Sequence, residues 1–320
     1  MKIMSGGFQR SLVCSQRKVK NMANENVMYL PDDMLHMSVM GGQARVLLCR
    51  TTAMTRAMAA IHQPSDVACA AMSRLMSATS MLGVQMKDHS ASVTVTVAGD
   101  GPGGKMTCVA HGGNIKVTMA NPQVALPLKK DGHLDVGGLV GHEGRLTVVK
   151  DLGMKEPYVG QTNLVSGELA EDFASYFTTS EQQPSLVSLG CLVKDGYCLS
   201  SGGILVQAMP GCSDEVIDML EARSPFFFYI SREVADMPLE KLAQNWFEGM
   251  DLQILDKEPL KYQCDCSREK MEKALIAMGR AELQSLIEED GKAELTCYFC
   301  RTAHTFTKEQ LLDLLNRATR

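Results

Sequence analysis

The sequence predicts an α+β protein in three parts: an α+β N-terminal domain, a helical linker and a small C-terminal zinc-binding α+β module. Three observations carry this. Strand-like alternation is interleaved with helical periodicity over the first two thirds of the chain, without a regular βαβ repeat. A Pro210-Gly211 break then opens an acidic stretch, and beyond it four cysteines stand two by two. The expected boundaries are a basic extension over 1–26, a core domain over 27–212, an acidic helical linker over 213–260 and a four-cysteine zinc module over 261–320.

Within the core domain, Ala44 to Leu48 reads as a strand. Thr52 to His62 and Ser65 to Lys87 read as helices split by Pro64, with Ser65 or Asp66 placed to cap the second. Val93, Val95 and Val97 put one face of a strand inside, and Met106 to His111 and Ile115 to Met119 continue as strands around a Gly112-Gly113-Asn114 turn. A glycine-rich stretch from Asp135 leads into a strand over Arg145 to Asp151. A helix is expected over Ser166 to Thr178, then strands over 185–194, 196–200 and 204–209. The methionines, 22 in all and dense between Met34 and Met86, sit at helical spacing and read as core filler.

The linker, from Ser213 to Glu258, holds eleven acidic and four basic residues. Helical patterns occupy Asp214 to Ala222 and Leu239 to Glu248. The segment reads either as a solvated linker of low stability or as a helical cover for a sheet. In the module, Ser267 caps one helix, a second runs from Arg280 to Glu289, and Glu294 to Phe306 reads as a hairpin. Thr307 and Gln310 form a capping box for a last helix from Lys308 to Arg317.

Composition excludes several roles. A net charge of −5 gives no general attraction to nucleic acid or anionic lipid, and the module itself carries ten basic and ten acidic residues without an aromatic-basic patch. No apolar run is long enough to span a bilayer, so no membrane partner is expected. Eleven cysteines, seven of them scattered, indicate a reducing compartment and a cytoplasmic protein. The extension, with Lys2, Arg10, Arg17, Lys18 and Lys20 and no acid before Asn24, fits a disordered arm or a mitochondrial matrix-targeting segment. Gly99 to Lys105 imitates a phosphate loop, but Met106 stands where Ser or Thr would hold magnesium, and a strand follows. It reads as a hairpin turn. His142-Glu143 lacks the spacer of a zinc deaminase element. No catalytic constellation emerges.

Cys264 and Cys266 form a C-x-C pair, Cys297 and Cys300 a C-x-x-C pair, with 30 residues between. Four thiolates so grouped enclose a tetrahedral Zn²⁺, leaving no open position for substrate or activated water. Such a site is structural or a sensor. His304 is a further candidate ligand, less suited where four thiolates are present.

With this signature, the chain resembles the redox-regulated heat-shock holdases, the zinc chaperone family of about thirty-three kilodaltons. Supporting blocks are Gly144 to Tyr158 (GRLTVVKDLGMKEPY), Leu164 to Phe177 (LVSGELAEDFASYF), Gly202 to Pro210 (GGILVQAMP), Ala120-Asn-Pro122 and Leu134-Asp-Val-Gly137. The resemblance runs from about Val27 to the end; His304 stands where relatives usually carry an aromatic residue. It implies one Zn²⁺ per chain on Cys264, Cys266, Cys297 and Cys300 in the reduced state. Oxidation would pair Cys297 with Cys300 and Cys264 with Cys266, release zinc and unfold the linker. The resulting ATP-independent holdase would bind unfolding client proteins, as a homodimer formed through the N-terminal domain. The alternative is an enzyme of unknown reaction on that domain, with a structural zinc ribbon appended.

Overall fold

Alternating side chains on Asp33–Val39 (β1), Ala44–Arg50 (β2), Ser185–Lys194 (β8) and Tyr197–Ala208 (β9) build a five-stranded sheet that is apolar on both faces. Its strand order is β10-β1-β2-β9-β8, where β10 is Gln253–Pro259. The structure is a computed structural model and describes residues 30–86 and 91–318; the basic extension over 1–26 lies outside them. A second, six-stranded sheet has the order β11-β5-β4-β3-β6-β7. It comprises Ser92–Gly99 (β3), Met106–His111 (β4), Asn114–Met119 (β5), Gly144–Asp151 (β6), Tyr158–Asn163 (β7) and Lys261–Tyr262 (β11).

Two helices fill the space between the sheets: Thr52–His62 (α1) and Asp66–Gly83 (α2). Helix α2 meets apolar surface on nearly every side, and its composition suits that position. Small residues let both sheets approach, and Met72, Met76 and Met81 fill the gaps. Ser77, Thr79 and Ser80 are buried polar residues, and each hydroxyl donates to the carbonyl four residues back. Ser65 caps the helix, its hydroxyl accepting from the Ala68 amide at 3.3 Å. Core packing is thus the role of the methionines between Met34 and Met81.

The other face of the five-stranded sheet carries Leu35, Met37, Val46, Leu48, Ile204 and Val206. It is covered by Asp214–Phe227 (α5), Ile230–Asp236 (α6) and Leu239–Trp246 (α7). Of the two readings left open for the acidic segment, the structure has the helical cover. Phe227 packs on Trp246 and Phe247 at centroid distances of 5.2 and 5.9 Å. Arg50, buried in the sheet, donates to the carbonyls of Val234 at 2.8 Å and Met237 at 2.6 Å. The segment then returns to the sheet as β10, antiparallel to β1. Lys257 ties it down through Asp33 at 3.1 Å and Glu240 at 2.7 Å.

Several expected elements differ. The strands over 196–200 and 204–209 are one strand, β9, which passes through Gly202 and Gly203. A Cβ on Gly202 would lie 2.3 Å from the Cys49 carbonyl oxygen, so close strand approach, not a break, explains the glycine. The helix expected from Ser166 starts at Ala170 (Ala170–Thr179, α4), because the buried Asp172 carboxylate gathers the amides of Val165, Ser166 and Leu169 into a loop. Gly99 to Lys105 is the β3–β4 turn, packed so tightly on the short helix Val136–Val140 (α3) that a Cβ on Gly99 would lie 2.1 Å from the Val140 carbonyl oxygen.

Candidate metal centre

The C-terminal module is small. Arg268–Ala277 (α8), Arg280–Glu289 (α9), the hairpin Lys292–Thr296 (β12) and Ala303–Thr307 (β13), and Lys308–Arg317 (α10) enclose Leu275, Leu283, Ile287, Phe306, Leu311 and Leu314. Ser267 caps α8, and Thr307 with Gln310 forms the capping box that starts α10. Residues Asp32–Arg320 nevertheless make one compact unit, because the module is docked on the body.

Each cysteine pair is delivered by a strand. Strand β11 runs parallel to β5, and the Gln263 amide donates to the Ile115 carbonyl, so Cys264 and Cys266 leave the sheet at a fixed height. The β12–β13 hairpin turns through Cys297 to Cys300. There Cys297 donates its amide to Thr302 at 2.9 Å and Arg301 donates back to Cys297 at 2.8 Å.

Four sulfurs converge. Cys264 Sγ lies 3.7 Å from Cys297 Sγ, Cys266 Sγ lies 3.3 Å from Cys300 Sγ, and all four fall within 4.8 Å of one another. A tetrahedron with Zn–S bonds of about 2.3 Å has edges of about 3.8 Å. The group therefore fits a metal ion of zinc's size and thiolate preference. His304 Nε2 stands 3.9 Å from Cys266 Sγ, beside the group.

The protons are unevenly held. Burial, together with neighbouring thiols, pushes Cys264 up to about 11, and burial also raises Cys266. Burial raises Cys300 as well, but hydrogen bonds from the Thr302 hydroxyl and amide and from Cys266 and Cys297 outweigh it and bring Cys300 down to about 7. A divalent cation at the centre would deprotonate all four and remove this unevenness.

The module touches the body through the backbone between its ligand candidates. The Phe299 carbonyl accepts from His62 Nε2 at 3.0 Å and lies 3.1 Å from the Tyr262 hydroxyl, which also reaches the Val117 carbonyl at 3.2 Å. Lys116 pairs with Asp265, between the first two cysteines, and lies 5.1 Å over the Phe299 ring. The carboxylate of Asp265 is held well below its usual range by hydrogen bonds from Lys116 and Lys270. These contacts were not legible in the sequence, because His62 and Lys116 lie far from the cysteines along the chain.

A family model described as "Hsp33 protein" matches residues 32–307. The "33 kDa chaperonin" of Clostridium botulinum (strain Eklund 17B / Type B) is 40% identical over 292 residues, covering 90% of this chain and 99% of that protein. That of Alkaliphilus metalliredigens (strain QYMF) is 42% identical over 275 residues, covering 85% and 94%. Among solved structures, the 33 kDa chaperonin of Thermotoga maritima superposes with a TM-score of 0.82 at 30% identity, covering 91% of this chain and 99% of that one. The two-sheet body with its four-thiol module is thus the architecture of a chaperone, not of an enzyme. The chain belongs to the Hsp33 family. No helix among the described residues is long and apolar enough to cross a membrane.

Proposed function

We propose that this chaperone is an oxidation-activated, ATP-independent holdase, with Cys264, Cys266, Cys297 and Cys300 as its sensor and one Zn²⁺ per chain in the reduced state. The observation that carries the reading is the convergence of four sulfurs within 4.8 Å of one another. A metal on these four thiolates would hold the module folded, and the module follows β10 and β11 directly along the chain. Peroxide or hypochlorous acid takes two electrons from each pair of thiolates, closing Cys297–Cys300 and Cys264–Cys266 as disulfides. Each peroxide takes up two protons and leaves as two waters, hypochlorous acid takes up one and leaves as water and chloride, and sulfurs so paired would no longer hold a metal. A module with so few buried residues loses on the order of 10 kcal/mol of folding free energy with its zinc.

The domain limits 27–212, 213–260 and 261–320 follow from this reading as the client-holding body, the metastable cover and the switch. Release of the cover bares Val216, Leu220, Val234, Leu242 and Trp246 together with the sheet face beneath them. Phe226 and Phe228 are already exposed on its outer side. Unfolded client proteins bind there, and the active form is a homodimer through the N-terminal body. The bacterial relatives support a cytoplasmic setting over a mitochondrial one. The test measures aggregation of a thermally unfolding client with reduced and with oxidised protein, alongside zinc release and limited proteolysis. Suppression only after oxidation, with first cuts inside 213–260, is expected. Equal suppression in both states, or first cuts between Arg145 and Met209, sinks the mechanism.

A further inference from the structure

A second group of thiols, which the metal centre does not use, lies where the β8–β9 hairpin packs on α2. Strand register places Val193 opposite Cys198, with a bulge between Leu192 and Val193. Cys191 shares a face with Val193, so Cys191 and Cys198 are diagonal neighbours, and their sulfurs are 3.9 Å apart. Cys69, on the first turn of α2, lies within hydrogen-bonding reach of Cys191. Cys69 and Cys198 are buried; Cys191 is half-buried, beside the exposed hairpin end Lys194 to Tyr197. Of the pair, Cys191 is the less completely buried residue.

We propose that Cys191 and Cys198 are a second redox site, independent of the metal centre, which closes to a disulfide under peroxide. The Cys191 thiolate attacks one peroxide oxygen; the O–O bond breaks, and the departing hydroxide takes up the proton Cys191 had lost and becomes water. Cys191 is then a sulfenic acid. The Cys198 sulfur attacks the Cys191 sulfur, the S–O bond breaks, and the second water leaves with the Cys198 proton. Two thiols have lost two electrons and one peroxide has become two waters.

The proton arrangement agrees with these roles. Hydrogen bonds from the Cys198 and Cys69 thiols hold Cys191 well below the usual thiol range, while hydrogen bonding to Cys191 raises both donors. The attacking thiol therefore belongs to the less buried residue of the pair. Cys49 and Cys108, buried away from this group, are each pushed up to about 12 by burial and have no such role. Among the described residues, the C-terminal cysteines are the one group of three or more His, Cys, Asp or Glu residues placed to hold a metal ion. Closure from 3.9 Å to the roughly 2.0 Å of a disulfide needs side-chain rotation and some backbone give, which a bulged hairpin end supplies.

The experiment treats the full-length, zinc-loaded protein with graded peroxide, quenches in acid, alkylates and digests with trypsin. Cys191 falls in the peptide 156–194 and Cys198 in 195–223, which also holds Cys212. The expected result is that the two peptides are joined, with fragment ions placing the link on Cys198. Cys212→Ser should retain the link; Cys191→Ser and Cys198→Ala should each lose it, with zinc release per chain unchanged. A link from Cys191 to Cys69, recovery of Cys191 as unlinked sulfinic acid, or full alkylation of Cys191 while the C-terminal thiols oxidise overturns the proposal. Slowed zinc release in Cys191→Ser overturns its independence from the metal centre. Failure of the metal-centre reading leaves the 191–198 link intact, so the two are separately decided.

Discussion

In the body of the protein, one helix, α2, is enclosed by two sheets and by α1, and nearly every side chain it carries is buried. In the C-terminal module, three short helices and a two-stranded hairpin share a core in which α8 contributes only Leu275 as a buried residue. The body gains its stability from buried area, spread over many contacts, and no single ligand decides whether it folds. The module buries too little for that, and on the function proposed above a metal on its four sulfurs would supply much of its stability. A region built the first way gives way only when its packing fails as a whole, whereas one built the second way would lose structure at a single chemical event. That difference suits the second to sensing and the first to holding.

The largest expected effect breaks the comparison directly. The Cys297→Ser, Cys300→Ser double variant should bind far less than one zinc per chain and lose the module's protection from protease, with the body intact. The missing metal is worth on the order of 10 kcal/mol to the module. Full zinc retention would falsify the assignment of the ligands. Core truncation sharpens the contrast. Leu205→Ala in the body and Leu311→Ala in the module should each cost about 2–5 kcal/mol. The first should lower the global denaturation midpoint, and the second should weaken zinc retention and leave that midpoint nearly unchanged. A Leu311→Ala protein that unfolds globally at lower denaturant with its zinc still bound would show that the module is not a separate switch.

A pH effect belongs to the body. Asp32, buried at the start of α1, accepts from the amides of Ala53 and Met54 at 3.1 and 2.7 Å, yet burial pushes it up to about 6. Its unfolded value is about 3.9, so between about pH 4 and pH 6 the folded state binds a proton that the unfolded state has released. Stability therefore falls as pH rises through that window, by about 2–3 kcal/mol in all. Asp32→Asn should flatten this slope relative to the parent; an unchanged slope would place the titration elsewhere. The smallest effect concerns the contact between the regions. Tyr262→Phe removes the hydroxyl near the Phe299 and Val117 carbonyls, about 1 kcal/mol. It should speed zinc loss under mild peroxide and leave the body's denaturation unchanged.

Much of this architecture is legible in the sequence where pattern and packing agree. The alternation of Val93, Val95 and Val97 is a strand with one buried face, and the Thr307–Gln310 box starts the last helix as its chemistry requires. The paired spacing of the cysteines led to the sulfurs that converge. Legibility ends where a residue's role depends on what approaches it. Strand β10 buries almost none of its side chains and carries no alternation, so Gln253 to Pro259 looks like more acidic linker until its pairing with β1 is seen. The cover helix α5 is acidic on its outer side and α6 is short, and only the sheet beneath them turns Val216, Leu220 and Val234 into core. The thiols of Cys191 and Cys198 appeared scattered because a hairpin, not a motif, brings them together.

The pairing of β10 with β1 also sets an order of events during synthesis. Strand β1 is the first described strand to leave the ribosome and β10 emerges only after residues 40–252, so the sheet edge that β10 closes stands open while most of the chain is made. The sheet is completed only as the residues leading into Cys264 emerge. A nascent chain halted anywhere before Gln253 would carry an unfilled strand position beside Asp33 to Ser38, and would itself be a client in need of protection.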